Sequence, residues 1–219
     1  SVFCDQAKKY GDAPYLWSKN NKHYQSLSWN ETYSRVKKLA NYLKKIGIKN
    51  EARVMLVSEN RPEWQISDLA IMAADGISVP AYTTITSQDY EYLISHSEAR
   101  VIIVSSEFLY SKIESAINKL KIKRDLIIID DFDLKKNDLI VIHKWDEIQS
   151  MPRDNDTDHV FNQAIRKNRK DIACIIYTSG TSGFPKGVML SHGSILHNCE
   201  GAHEILGSEL NNIDDVLFL

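Results

Sequence analysis

The stretch Ile172–Val188 reads IACIIYTSGTSGFPKGV. It begins as a short apolar run and continues into a segment of glycines and hydroxyl side chains that contains one lysine. The apolar run predicts a buried strand. We expect Gly180, Gly183 and Gly187 to let backbone N–H groups turn toward an anion without Cβ clashes. The stretch therefore predicts a strand that leads into a phosphate-binding loop.

The candidate phosphate ligands are the hydroxyl groups, the backbone N–H groups and the single ammonium group of this loop. They belong to Thr178, Ser179, Gly180, Thr181, Ser182, Gly183 and Lys186. A Walker loop is excluded, because Pro185 precedes the lysine and Gly187 follows it where that motif needs glycine and then a hydroxyl residue. A Rossmann loop fits poorly, because Thr178 stands where that motif has its first glycine.

Four further apolar runs lie upstream and predict strands. They begin at residues 53, 77, 101 and 126, so that about 24 residues separate successive starts. The runs are Arg53–Val57, Ile77–Ala81, Val101–Val104 and Leu126–Ile129. Regular alternation of such runs with helical patterns predicts an α/β fold of βαβ units around a largely parallel sheet. Continuous rather than alternating apolar runs predict strands that are buried on both faces.

Helical periodicity fills the intervals between the predicted strands. One helix is expected to begin at an Asn30 N-cap and to end at Gly47. The other predicted helices are Pro62 to Gly76, Gln88–His96 with Thr86 or Ser87 as its cap, Phe108–Leu120, Phe161–Lys170, and one that runs to Leu206 from a cap at Ser191 or Ser194. Val188–Leu190 is predicted to return as a strand beside the first, which makes the loop part of a hairpin.

Composition limits the classes of function. The chain has 219 residues, of which 43% are hydrophobic. Its formal net charge of −2 argues against nucleic acid as a partner. Its three cysteines are odd in number and lack metal-ligand spacing, which is typical of a reducing compartment. The first residues lack the apolar centre of a signal peptide, and no apolar run has the ~18 residues that a membrane span needs. We therefore expect a cytoplasmic protein, and peripheral contact with a membrane stays open.

Other polar residues are weaker candidates. His192 follows the returning strand and is a further candidate for contact with phosphate or substrate, against a structural role at the start of a helix. The spacing of His192, His197 and His203 does not place them on one helix face, so we assign no metal site to them. The pair Asp130–Asp131 follows a predicted strand and suits either a solvated turn or magnesium, and the turn is favoured.

The loop resembles that of a known family. The stretch Tyr177–Val188 is similar to the phosphate loop of the adenylate-forming enzymes, whose pattern is YTSGTTGxPKGV, with Ser182 in place of the second threonine. The segments SWNETYSRVKKLANYLKKIGI (28–48), SENRPEWQISDLAIMAADGISVPAYTTITSQDYEYLISHSEARVIIVS (58–105) and VMLSHGSILHN (188–198) are similar to the long-chain fatty-acyl-CoA synthetase branch of that family. The resemblance covers most of the chain.

The resemblance implies a two-step ligase of fatty-acid and lipid metabolism. In the first step a carboxylate reacts with ATP to give an acyl-adenylate and pyrophosphate. In the second step the acyl group is transferred to coenzyme A. The implied partners are the small molecules ATP, fatty acid and coenzyme A, with Mg²⁺ held mainly by ligands outside this chain. The catalytic residues are expected beyond Leu219, so the chain alone is expected to be inactive. The alternatives are a ligase for an aryl or amino acid, and a fragment that binds nucleotide or acyl groups without turnover. A P-loop kinase is disfavoured by Pro185 and Gly187.

We divide the chain at two points. Residues 1–150 are predicted to form the N-terminal α/β subdomain of the AMP-binding domain, 151–170 a connector and helix, and 171–219 the incomplete start of a second, phosphate-loop subdomain. The polar segment Met151–Asp158 marks the first boundary. The apolar run at the end of Asp214–Leu219 predicts a strand that is cut short, which indicates a longer protein.

Overall fold

A seven-stranded sheet with helices against both faces is the frame of the computed structural model, which describes residues 2–20, 23–49, 51–152, 167–179 and 185–206. The strands are β1 (Pro14–Asn20), β2 (His23–Ser28), β3 (Arg53–Val57), β4 (Ile77–Pro80), β5 (Val101–Val104), β6 (Arg124–Ile128), β7 (Ile140–Lys144), β8 (Ile172–Thr178) and β9 (Lys186–Ser191). The helices are α1 (Val2–Tyr10), α2 (Trp29–Lys45), α3 (Pro62–Ala73), α4 (Ser87–Ser97), α5 (Glu107–Leu120), α6 (Trp145–Ser150) and α7 (His192–Leu206).

The order of strands across the sheet is β7-β6-β5-β3-β4-β8-β9. Every neighbouring pair is parallel except β8 and β9, which are antiparallel. A separate antiparallel hairpin is formed by β1 and β2. The predicted α/β fold with a largely parallel sheet is confirmed. β8 joins the same sheet through the pairing of Ser78 with Cys174, and the boundaries of the two subdomains stay predictions.

Strands β3 to β6 are mostly buried on both faces, as their continuous apolar runs predict. The side chains of successive strand residues point to opposite faces, so each run contributes side chains to two hydrophobic cores. One core contains Val54, Leu56, Val101 and Ile103 from the sheet and Leu39, Leu43, Ile66 and Ile71 from α2 and α3. The other contains Met55, Val57, Ile102 and Val104 from the sheet and Tyr90, Leu93, Ile113 and Ile117 from α4 and α5. The sheet therefore lies between two helical layers.

The start of α2 corrects one prediction, since Ser28 rather than Asn30 is the N-cap. The Ser28 hydroxyl accepts from the Glu31 N–H at 3.1 Å, and the Glu31 carboxylate accepts from the Ser28 N–H at 2.7 Å. This reciprocal capping box satisfies two backbone groups that a helix start leaves free. The Asn30 side chain instead donates to Asp12 at 2.8 Å. Gly47, with φ +93°, follows the helix as expected.

The other predicted elements differ by a few residues. α3 ends at Ala73, and Asp75 takes a left-handed conformation with φ +70° before Gly76. β6 begins two residues earlier than predicted. Thr86 caps α4, and the Ser191 hydroxyl accepts from the Ser194 N–H at 3.2 Å at the start of α7. The end of the predicted helix at 161–170 is wrong, because Arg169 and Lys170 form a turn. Residues 153–166 and 207–219 lie outside the described part. These ranges include most of that predicted helix, most of the polar segment and the last predicted strand.

A carboxyl group of α3 makes stability depend on pH. Burial raises the pKa of Asp68 in α3, with a smaller opposing effect from the Ser78 hydroxyl. The folded chain therefore binds a proton that the unfolded chain releases near pH ~4, and stability falls as pH rises from there through the folded pKa. We expect Asp68→Asn, which cannot ionise, to have a higher melting temperature than the unchanged chain at pH 7. The difference should shrink toward pH 4 in thermal unfolding followed by circular dichroism, and a difference independent of pH would contradict this assignment.

None of the helices in the described ranges is long and apolar enough to cross a membrane.

Candidate functional site

The β8–β9 hairpin carries both ends of the predicted phosphate loop. Its last residue pair joins Thr178 of β8 to Lys186 of β9. Directly opposed residues of an antiparallel pair share a face, so the Thr178 hydroxyl and the Lys186 ammonium project to the same side of the hairpin. Both residues and the neighbouring Ser179 are exposed. The structure thus brings three of the seven predicted ligands together. The other four, Gly180, Thr181, Ser182 and Gly183, lie outside the described residues.

This end of the hairpin lies at a favourable edge of the sheet. Because β8 runs parallel to β4, Thr178 is at the edge where the parallel strands have their carboxyl ends. Ligands of open α/β sheets bind in crevices at this edge. An exposed ammonium group and two hydroxyl groups suit the oxygens of a nucleotide phosphate by charge and by hydrogen bonding. The described end of the hairpin can therefore hold an anion.

The aromatic residue that precedes the loop anchors β8. Tyr177 is buried, and its hydroxyl lies 2.7 Å from Nδ1 of His96 in α4. Burial, and then the neighbouring Tyr92, raises the pKa of the Tyr177 phenol, so the group stays protonated at neutral pH. Tyr177 thus packs against α4 near the end of β8. The sequence did not single out His96 or Tyr92, although their four-residue spacing in a predicted helix places them on one face.

The glycine after the lysine has a role that differs from the predicted one. Gly187 lies in β9 opposite Tyr177. A Cβ atom on Gly187 would lie 2.9 Å from Cγ2 of Ile175 and 3.4 Å from Cζ of Tyr177. The Ile175 side chain therefore occupies the space that a side chain at position 187 would need, and the Tyr177 ring lies in ordinary contact beside it. In the structure Gly187 makes room for Ile175, where the sequence suggested that it turns an N–H group toward phosphate.

His192 lies at the other end of the hairpin. Residue 191 pairs with Ile172, six strand positions before Thr178, so His192 is about 20 Å from the loop at ~3.3 Å per residue. Its N–H donates to the Asp171 carbonyl at 3.0 Å. Burial, and then the nearby Lys167, lowers the pKa of His192, so its imidazole is neutral at pH 7. The structure does not bring His192 to the predicted phosphate ligands, and its bonds suit a structural role.

The two aspartates after β6 are held in ion pairs. Asp130 accepts from Arg61 at 2.8 Å, and Asp131 accepts from Lys144 at 2.9 Å. Their charges are therefore balanced by side chains of the protein, which supports the turn over the magnesium interpretation. In the parts of the chain that the structure describes, no three His, Cys, Asp or Glu side chains are grouped so that they could hold a metal ion. The described residues thus offer no cluster that could hold magnesium by itself.

Comparison with known proteins places the chain in a family. Residues 3–219 match the family described as AMP-binding enzyme. The human long-chain-fatty-acid–CoA ligase ACSBG2 is 32% identical over 88% of this chain and 29% of its own length. Long chain acyl-CoA synthetase 4 of Arabidopsis thaliana is 30% identical over 94% of this chain and 32% of its own length. The chain thus spans about a third of the length of these relatives.

Solved structures share the fold. A benzoate CoA ligase from Burkholderia xenovorans superposes with a TM-score of 0.70 at 21% identity, over 91% of this chain and 35% of that one. A luciferase-like enzyme from the mealworm Zophobas morio superposes with a TM-score of 0.70 at 20% identity, over 92% of this chain and 43% of that one. The hairpin with its paired threonine and lysine, the parallel sheet and the match over residues 3–219 lead to one conclusion: the chain belongs to the AMP-binding enzyme family.

Proposed function

We propose that this chain holds the departing pyrophosphate in an ATP-dependent long-chain fatty-acid–CoA ligase. The observation that carries the proposal is the end of the β8–β9 hairpin, where Thr178 and Lys186 form the last pair beside the exposed Ser179. The acyl specificity rests on the two relatives described above, which are about 30% identical and act on long-chain acids by their names. A location in the cytoplasm, with peripheral access to a membrane that supplies fatty acid, belongs to the same proposal.

The proposed reaction has two steps. In the first, an oxygen of the fatty-acid carboxylate attacks the α-phosphorus of ATP, the bond to the bridging oxygen breaks, and pyrophosphate leaves with that electron pair. In the second, the sulfur of coenzyme A attacks the acyl carbon, and AMP leaves. Negative charge on the leaving pyrophosphate rises in the first step, and fixed positive groups stabilise such charge most effectively. The Lys186 ammonium and the hydroxyls of Thr178 and Ser179 would stabilise this charge on the pyrophosphate.

Magnesium would lower the charge of the triphosphate in such a reaction. The described residues contain no cluster that could hold it by itself, so we expect its ligands mainly outside this chain and derive no step from it.

The decisive experiment is ATP–pyrophosphate exchange by the full-length protein with a panel of acids. We expect exchange with saturated fatty acids of long chain, and little with benzoate or amino acids. Exchange with aryl or amino acids alone would move the protein to another branch of the family. Absence of exchange with every acid, together with measurable binding of ATP, would instead support a fragment or protein that binds nucleotide without turnover.

A further inference from the structure

Both ends of the phosphate loop are tied to the same helix. Before the loop, the Tyr177 hydroxyl lies 2.7 Å from Nδ1 of His96. After the loop, the Tyr92 hydroxyl donates to the Pro185 carbonyl at 3.0 Å. Tyr92 and His96 are four residues apart in α4, so they lie on one face of it. Their rings are stacked, with centroids 5.2 Å apart and planes inclined by 26°.

The rings of Tyr92, His96 and Tyr177 also contact one another beside the two ends of the loop. The Tyr177 ring packs edge-on against His96, with centroids 5.6 Å apart, and edge-on against Tyr92 at 6.5 Å. Gly187 lies beside this ring, since a Cβ atom on it would be 3.4 Å from Cζ of Tyr177. The chain thus leaves the sheet at Tyr177 and returns at Pro185 with both positions fixed to α4. We call Tyr92, His96, Tyr177, Pro185 and Gly187 the loop clamp.

The clamp lies on the opposite face of the hairpin from the predicted ligands. Tyr177 and Gly187 form one residue pair of the ladder, and Thr178 and Lys186 form the next. Side chains of successive strand residues point to opposite faces, so the Tyr177 ring and the Lys186 ammonium project away from each other. Tyr92 and His96 therefore have no direct access to a phosphate held by Lys186. Any effect they have on the reaction acts through the backbone of the loop.

We propose that Tyr92 and His96 are positioning residues that set the separation of the loop ends and the direction of Lys186. The proposal rests on the proposed use of ATP. The carbonyl that Tyr92 holds belongs to the planar peptide bond between Pro185 and Lys186, so this hydrogen bond orients the backbone from which the Lys186 side chain projects. A loop with fixed ends also loses less entropy when it settles on a ligand, which strengthens binding without adding a contact.

The first test compares Tyr92→Phe with Tyr90→Phe. Each substitution removes one hydroxyl of α4 that donates to a backbone carbonyl, since Tyr90 donates to the Tyr82 carbonyl at 2.7 Å and not to either end of the loop. In full-length protein we expect Tyr92→Phe to raise KM for ATP about 2- to 10-fold, the range for one lost hydrogen bond, with KM for the acid unchanged. Tyr90→Phe should leave both constants near the unchanged values. Equal KM values for ATP in the two variants would overturn the proposal.

A second pair of variants tests His96. His96→Ala removes the ring that stacks on Tyr92 and the partner of the Tyr177 hydroxyl. His96→Asn keeps a polar atom near the position of Nδ1. We expect the alanine variant to raise KM for ATP more than Tyr92→Phe does, and the asparagine variant to restore part of the loss. Alanine and asparagine variants with the same KM for ATP as the unchanged enzyme would count against a positioning role for His96.

A measurement that needs no activity separates failure of the clamp from failure of the proposed function. Hydrogen exchange of the 219-residue chain, read by mass spectrometry, follows the peptide that covers Tyr177–Gly187. We expect faster exchange in this peptide for Tyr92→Phe and His96→Ala, with no change for Tyr90→Phe. If the full-length enzyme shows no ATP–pyrophosphate exchange but this pattern is found, the clamp stands and the proposed function falls. Unchanged hydrogen exchange in all variants would refute the clamp itself.

Discussion

Lys186→Ala is expected to slow formation of the acyl-adenylate roughly 10- to 150-fold. A hydrogen bond between a charged group and phosphate contributes about 1.5–3 kcal/mol, and each 1.36 kcal/mol changes a rate tenfold. Lys186 is exposed at the end of β9 and pairs with Thr178, so its ammonium is free to meet the leaving pyrophosphate. The rate should be measured by ATP–pyrophosphate exchange in full-length protein. Transfer from preformed acyl-adenylate to coenzyme A should remain close to the unchanged rate, since pyrophosphate has already left.

Two control variants sharpen this result. Lys186→Arg keeps the positive charge and should recover part of the lost rate. Lys170→Ala removes another exposed lysine, at the end of the hairpin away from the loop, and should change neither half-reaction. A variant at position 186 that slows both half-reactions equally would show that Lys186 acts on something other than the departing pyrophosphate, for example on the general stability of the hairpin.

Gly187→Ala is expected to lower the free energy of unfolding by about 1–3 kcal/mol, the usual cost of adding a methyl group to a filled site. The new Cβ would lie 2.9 Å from Cγ2 of Ile175, closer than atoms of a packed interior approach, and in ordinary contact with the Tyr177 ring at 3.4 Å. Either the Ile175 side chain shifts or the two strands separate. Urea unfolding of the chain, followed by circular dichroism, measures the loss as a lower midpoint with an unchanged slope.

The chain contains a matched control for that substitution. Gly201 lies in α7, and a Cβ atom there would meet no atom within 4 Å. Alanine favours a helix interior over glycine, so Gly201→Ala should raise stability by about 0.5–1 kcal/mol. The same chemical change thus has opposite expected signs at two positions. A loss at Gly187 no larger than the change at Gly201 would show that the Ile175 side chain moves aside without cost.

Local patterns in the sequence were sufficient for most elements of the fold. The four apolar runs became β3, β4, β5 and β6, and Thr86 caps α4 as one of two predicted candidates. The N-cap of α2 was predicted wrongly as Asn30, although Ser28 and Glu31 have the spacing of a capping box. Only the structure shows that the Asn30 side chain donates to Asp12 instead. A residue can act as the N-cap only if its side chain is not already bonded elsewhere and can accept from the backbone N–H groups of the first turn.

The candidate site, too, could be predicted only in part from the sequence. The chemistry of the loop was readable from its residue types, since hydroxyl groups, glycines and a lysine suit phosphate in any fold that presents them together. Those types could not show that His192 lies at the far end of the hairpin, because that follows from the register of β8 against β9. Distances along the chain do not give distances across a sheet.

The family and the parallel α/β architecture thus follow from residue order, because periodicity, turn residues and a long motif are properties of neighbours in the chain. The reason for Gly187 and the partners of Tyr177 do not. Tyr92 and Pro185 are 93 residues apart in sequence, and His96 and Tyr177 are 81 apart. Contacts over such separations exist only after the sheet has assembled and α4 has packed on it, so tertiary packing alone decides how the ends of the phosphate loop are held.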